Sequence, residues 1–233
     1  MIIINEMTKS QIVPLTKEEM DKLMLEIEKK NEFDFMLFTV LKTTGRRIGE
    51  LYGIEETKVI SRKITGKRTI SIDGVPTEID KTIPVYKKTG QWILGVKVKD
   101  INLDDATMKV WVLKRRQYIQ DETVLTPEAV RVLQRHIYKN KLNLEDFVFR
   151  AKNRSLRQIQ NVIKTYAKKA VIEHPVCIHN FRHYFITELK RQGWDNDKIR
   201  KLTGHKSAQV LGIYDHIVAE DLRDEALEAI KVI

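Results

Sequence analysis

The sequence has one cysteine, Cys177, and no Cys-x-x-Cys pair, so an intramolecular disulfide scaffold and a four-cysteine zinc site are both excluded. It has no run of 18 or more apolar residues, and the opening Met1-Ile2-Ile3-Ile4-Asn5-Glu6 is too short for the apolar region of a signal peptide. Membrane spanning and secretion are therefore not expected, and a reducing cytoplasm is. Internal repeats, low-complexity tracts and Gly/Ser linkers are missing as well, which favours one domain over several. Gly66-Lys67-Arg68-Thr69 lacks the earlier glycine and the spacing of a Walker sequence, so nucleotide binding has no motif here.

What is present is charge of one sign. Among 233 residues, Lys+Arg number 42 against 32 Asp+Glu, a formal net charge of +10, while 42% hydrophobic residues are enough for a sizeable core. A surplus of this size is the footprint of a polyanionic partner, because phosphates neutralised by Lys and Arg release condensed counterions. The surplus is concentrated: Lys58 to Lys99 holds ten basic residues and three acidic, and Arg150 to Lys206 fourteen and four. From Asp215 to Lys231 the sign reverses, with six acidic residues and two basic. Two basic blocks can line one anionic ligand, with the acidic tail facing elsewhere.

Thr16 followed by Glu19 reads as a capping box for a helix over about 16–30. A strongly apolar helix follows from Phe33 to Lys42, Thr44-Gly45 breaks it, and Arg46 to Tyr52 reads as another short helix. Residues 57–113 change character. Val59-Ile60, Thr69 to Ile72, Ile83 to Val85, Trp92 to Leu94 and Val110 to Leu113 are short β-type runs, punctuated as turns by Gly66-Lys67, Asp73-Gly74 and Thr89-Gly90. From Thr126-Pro127 the helical period returns, predicting helices near 127–140, 155–171, 180–192, 195–202 and 219–231.

Four segments hold the unusual polar residues. Thr44-Gly45-Arg46-Arg47-Ile48-Gly49-Glu50-Leu51 brings two arginines to a helix start, where cations oppose the helix dipole unless an anion offsets them. In His179-Asn180-Phe181-Arg182-His183, His179 and Arg182 share one helix face. Leu202-Thr203-Gly204-His205 places a histidine just past a helix end, and Ile213-Tyr214-Asp215-His216 follows. Each also has a plainer structural explanation: solvated arginines, an ordinary buried Tyr214, and a core stripe of Phe181, Tyr184, Phe185 and Leu189. His174, Cys177, His179 and His183 are close in sequence, but with no second cysteine and no carboxylate in register a metal site is not expected.

Taken in order, TGRRIGEL, HNFRH and LTGHKSAQVLGIYDH resemble the catalytic domain of the tyrosine recombinase (phage integrase) family. The intervals agree as well, with 23 residues from Arg182 to His205 and nine from His205 to Tyr214. The resemblance implies an α+β, mainly α-helical domain with a small antiparallel β-sheet. It implies one active site of Arg47, Lys114, His179, Arg182, His205 and Tyr214, with Tyr214 the nucleophile, the arginines on the phosphate oxygens, His179 as proton acceptor and His205 as a donor to a non-bridging oxygen. Lys114, directly after the Val110 to Leu113 run, takes the place of the family's hairpin lysine, the general acid for the leaving 5′-hydroxyl. The implied product is a 3′-phosphotyrosyl link that conserves the bond energy, so no cofactor and no metal is needed. The partners implied are double-stranded DNA and further copies of the chain, as a dimer or tetramer on DNA, and the location is cytoplasmic, on the nucleoid. The implied activity is site-specific cleavage and rejoining of DNA strands, by an integrase or resolvase. The alternatives are a topoisomerase IB-like relaxing enzyme and a non-catalytic DNA-binding accessory protein.

The sequence departs from the family in two places. Arg47 and Lys114 are 67 residues apart, as though about forty had been inserted. This β-rich insertion, about 56–94, is the first basic block, and its hairpins are expected to lie against DNA or a partner subunit. The length also leaves Lys109, Arg115, Arg116, Lys87 and Lys88 as competitors for the role of Lys114. Secondly, only about fifteen residues precede the first helix. Residues 1–233 are thus expected to form a single catalytic domain with a tail helix at about 219–231 and no N-terminal core-binding domain, either a fragment or a minimal enzyme with modest, salt-dependent DNA affinity.

Overall fold

The computed structural model describes residues 13–72, 75–114, 117–150, 154–205, 207–212 and 214–215. The tail helix expected at about 219–231, and the competitors Arg115 and Arg116, lie outside the described residues. The chain divides into two compact units, Met1–Tyr52 with Gly95–Ile233, and Gly53–Leu94.

In the larger unit, α1 (Lys17–Lys30) opens on the capping box of Thr16 and Glu19 and buries Met20, Leu23, Met24 and Ile27. Then α2 (Glu32–Thr44) is capped by Asn31 and buries every residue from Met36 to Leu41. A helix apolar on all sides belongs inside a bundle, and α2 packs against α1, α4 (Pro127–Lys139) and α6 (His179–Arg191). At its start, buried Asp34 accepts hydrogen bonds from Arg154 Nη1 at 2.6 Å and Tyr166 Oη at 2.7 Å, tying α2 to α5 (Leu156–Lys169). The short α3 (Ile48–Tyr52) ends where the chain leaves this unit. It re-enters beside that point, Val96 N–H donating to Leu51 O at 3.1 Å.

The smaller unit is a single hairpin rather than the several short hairpins expected. Strand β1 (Ile54–Ile72) pairs antiparallel with β2 (Val75–Ile93) along its length. Gly66-Lys67 and Thr89-Gly90, which read as turns, are inside the strands; Asp73-Gly74 lies outside the described residues, between Ile72 and its partner Val75. The physical reason at Gly66 is a bulge: the register shifts between Ile64 and Gly66, and the glycine takes φ 147°, which a residue lacking Cβ adopts without strain.

A second sheet, in the larger unit, has the order β3-β4-β5, with β3 (Ile101–Asn102), β4 (Thr107–Lys114) and β5 (Gln117–Val124). Alternate residues Met108, Val110 and Val112 of β4 are buried. Further along comes α7 (Asn196–Thr203), capped by Asp195 and ended by Gly204 in the left-handed region. Among the described residues no helix is long and apolar enough to cross a membrane.

Candidate active site

Arg182 organises the site. It lies on α6, 6% exposed, and its guanidinium gathers three segments. Nη1 donates to Gly45 O at 2.7 Å, at the end of α2, and Nη2 donates to Thr203 O at 2.8 Å, at the end of α7. Nη2 also meets the His205 ring at 3.0 Å from Nε2. Gly45 is required here twice over. Its φ of 60° favours glycine, and a Cβ would fall 2.4 Å from Phe185 Cδ1. Among the described residues no carboxylate is paired with Arg182. Burial first, and Arg47 next, lower its pKa to about 10, so it remains a cation at neutral pH. Glu50, which pairs with Arg47, is the carboxylate whose charge supports Arg182, so two guanidiniums share one nearby negative charge and an entering anion relieves the surplus.

The two arginines of the Gly45 turn have opposite fates. The Arg46 side chain is fully buried, with Nη1 donating to Asp121 Oδ2 at 2.8 Å and Nη2 to Glu122 O at 2.9 Å, so it fastens the turn to β5. Arg47 keeps 42% of its side-chain surface open and pairs with Glu50 at 3.0 Å. Its charge is felt by Arg182, His179 and His205, all of which it disfavours in their protonated forms. Only Arg47 of the pair is free to meet a ligand.

The histidines are held neutral. Arg182 Nη2 lies 3.1 Å from Nδ1 and 3.0 Å from Nε2 of His205, and because Arg182 can only donate, the nitrogen that takes its hydrogen bond must accept. Thr203 Oγ1 donates to Ile199 O at 2.7 Å and sits 2.6 Å from His205 Nδ1, which assigns the proton to Nδ1 and the lone pair to Nε2. Burial, then Arg182 and Arg47, push the His205 pKa down to about 3. His183, on the same helix, has its pKa lowered to about 4 by burial, then by His179 and Arg182. Its Nδ1 forms a short hydrogen bond with Tyr214 Oη. Burial raises the Tyr214 pKa to about 12, so the hydroxyl is protonated and donates to His183. Tyr214 is 3% exposed in an apolar cluster with Ile186, Leu189, Ile199 and Leu211. His179 stands exposed at the start of α6, its pKa lowered first by desolvation and then by Arg182 and Arg47.

The structure therefore brings Arg182 and His205 into contact, sets Arg47 and His179 within electrostatic reach of them, and couples Tyr214 to the Arg182 charge. Lys114 is the last residue of β4, paired with Gln117 of β5, the strand that Arg46 grips. Lys109, its rival, pairs inside the same sheet with Glu122, and Lys87 lies in the hairpin. Sequence reasoning named His183 and Arg46 but gave neither a place in the active site. The i, i+4 spacing of His179 and His183 put both on one face of α6, and that was the available signal; nothing in the sequence separates Arg46 from Arg47. Among the described residues no three or more His, Cys, Asp or Glu side chains are grouped to hold a metal ion, and His174 lies against Glu19 at 3.2 Å.

The model of the phage integrase family matches residues 91–221, more than half of the sequence, and the chain belongs to that family. The match takes in Lys114, His179, Arg182, His205 and Tyr214, and Arg47 precedes it. Among curated proteins, the chain is 32% identical over 137 residues to tyrosine recombinase XerA of Saccharolobus solfataricus, covering 59% of this chain and 44% of the relative. It is 28% identical over 214 residues to tyrosine recombinase XerA of Pyrococcus furiosus, covering 92% and 60%. The chain spans less than two thirds of the length of these relatives. Among solved structures, the crystal structure of XerA recombinase superposes with a TM-score of 0.65 at 21% identity, over 94% of this chain and 64% of the other. XerH recombinase bound to its difH substrate in a post-cleavage complex gives 0.60 at 16% identity, over 92% and 52%. The fold is shared with these recombinases.

Proposed function

We propose that this chain cleaves and rejoins strands of double-stranded DNA at specific sites through a covalent link to Tyr214. The observation that carries this reading is the buried Arg182, in no ion pair among the described residues, beside Arg47 and two neutral histidines, with a tyrosine hydroxyl that feels the same charge. Arg47 and Arg182 share one nearby carboxylate, Glu50, so the cluster keeps a surplus of positive charge that a phosphodiester meets. In the reaction, Tyr214 Oη attacks phosphorus, the bond from phosphorus to the 5′ oxygen breaks, and a 3′-phosphotyrosyl link forms. Arg47 and Arg182 hold the non-bridging oxygens with forked hydrogen bonds as charge builds on them. His179 accepts the tyrosyl proton and Lys114 supplies one to the leaving 5′-hydroxyl. Rejoining is the reverse, and because the bond energy is kept, neither ATP nor a metal ion is consumed.

The phosphate also resets the histidine. Its charge favours protonation of His205, which turns Nε2 from an acceptor facing Arg182 into a donor for a phosphate oxygen. Tyr214 likewise gives up its bond to His183 and its proton in order to attack. Copies of the chain act together on DNA as a dimer or tetramer, in the compartment where the chromosome lies.

The test is a nicked duplex that traps the covalent intermediate, with random plasmid DNA as a second substrate and Tyr214→Phe as control. A protease-sensitive protein–DNA adduct that vanishes in the variant is expected. Salt-sensitive binding with no adduct on any DNA would overturn the reading in favour of an accessory binder. A two-site synapsis assay then separates recombination from relaxation.

A further inference from the structure

The hairpin of β1 and β2 sorts its charges by face. From Lys87 to Val75 the strand β2 runs without a bulge, so its odd-numbered residues share one face and its even-numbered residues the other. The register carries each face onto β1: Lys58 stands opposite Lys87, Lys63 opposite Ile83 and Arg68 opposite Ile79. Among the described side chains the odd face thus carries Lys58, Lys63, Arg68, Lys81 and Lys87, all exposed, and no acidic residue. Among the described side chains the even face carries both signs, Arg62 and Lys67 with Glu78 and Asp80, and the Lys67–Glu78 ion pair at 3.3 Å lies on it.

This sorting is made by the bulges. Lys58, Lys63 and Arg68 are five residues apart, an odd spacing that alternates faces in a regular strand. The register shifts between Val59 and Ser61 and again between Ile64 and Gly66, leaving Ile60 and Thr65 as extra residues. Each extra residue restores the next cation to the same face, the re-aiming that bulges perform. The result is electrostatically unfavourable for the hairpin alone, because Lys58 and Lys87 are like charges directly across the ladder. The spacing of the cations along β1 is roughly 13 Å, four ladder steps of about 3.3 Å. A two-stranded ribbon is also a shape that the major groove of DNA admits.

We infer that the odd-numbered face of this hairpin is a docking surface for duplex DNA, with Lys58, Lys63, Arg68, Lys81 and Lys87 on the phosphate backbone. The inference rests on DNA being the ligand of this chain. It assigns to the hairpin affinity and orientation on the duplex, contacts that carry no base identity by themselves.

Adjacent residues on opposite faces allow a test with equal loss of charge. The full chain carrying Lys63→Gln and Arg68→Gln is compared with one carrying Arg62→Gln and Lys67→Gln, by binding to a duplex of about 40 base pairs across 50–200 mM salt. The first pair is expected to weaken binding roughly tenfold near 0.1 M salt and to lower the slope of log K against log salt by about 2, at about 0.9 per phosphate contact. The second pair is expected to change affinity less than about twofold. The charge-keeping exchange Lys63→Arg with Arg68→Lys is expected to bind as the unaltered chain does, which separates charge from folding. Equal losses from both pairs, or a change in self-association without a change in DNA affinity, would overturn the inference and leave the proposed chemistry standing. Failure of the unaltered chain to bind duplex DNA or form the adduct would instead overturn the functional reading itself.

Discussion

Among the described residues are two antiparallel sheets built by the same pairing rules and used in opposite ways. The three-stranded sheet turns Met108, Val110 and Val112 into a closed interior, and its strand β5 holds the buried Arg46 through Asp121. The hairpin of β1 and β2 leaves Ile60, Ile64, Val75 and Ile83 exposed, and its one described ion pair, Lys67–Glu78, is open to water on both sides. Where a strand has an inside, its sequence answers to packing. Where it has none, the pattern answers to something outside the chain, and charge sorting by face replaces apolar sorting by face.

Matched substitutions break this comparison or sharpen it. Met108→Ala empties a fully buried position in the small sheet and is expected to cost about 2–5 kcal/mol in urea unfolding. Asp121→Ala leaves the buried Arg46 guanidinium with only the Glu122 carbonyl, at a cost of about 2 kcal/mol by the same measurement. An effect of comparable size comes from pH. His183 and His205 are held neutral, with pKa lowered from 6.5 to about 4 and about 3, burial being the first cause. On acidification below 6.5 the unfolded chain binds protons that the folded one refuses. Stability is therefore complete above that pH and falls as pH drops towards 4. His183→Gln is expected to flatten that fall in unfolding curves collected between pH 7 and 4.5, and an unaltered pH slope would count against a buried neutral His183. The smallest effects belong to the hairpin: Ile83→Ala and Glu78→Ala are each expected to move the unfolding free energy by no more than about 0.5 kcal/mol. A loss from Ile83→Ala as large as that from Met108→Ala would erase the distinction between the two sheets.

Most helices could be read from the sequence because their ends carry local chemistry: Thr16 with Glu19, Thr126 before Pro127, and Gly204 after Thr203. The strand β5 was missed for a physical reason. It buries Thr123, half-buries Asp121 and leaves Tyr118, Ile119 and Val124 exposed, so its apolar residues mark no buried face. The half-buried Asp121 meets Arg46, a partner 75 residues away that no local pattern announces. The site divides likewise. The spacing of the three motifs brought Arg182 and His205 forward, and the structure puts them in contact. The pairing of Tyr214 with His183 instead of His179 depends on which turn of α6 faces the Tyr214 segment, and only the packed structure decides that. In the hairpin, glycine next to a bulge and glycine in a turn look the same until the partner strand is known.

The bulges at Ile60 and Thr65 carry a consequence for how this segment tolerates change over generations. Thr65 Oγ1 donates across the ladder to Lys81 O at 3.0 Å, but the faces of Lys63 and Arg68 are set by the number of residues between them. Losing the codon for Thr65 would leave the charge of the segment untouched and yet part Arg68 from Lys58 and Lys63, sending them to opposite sides of the ribbon. Substitutions there should be freely accepted while single-residue deletions are purged, so that the inherited quantity is a length and not a letter.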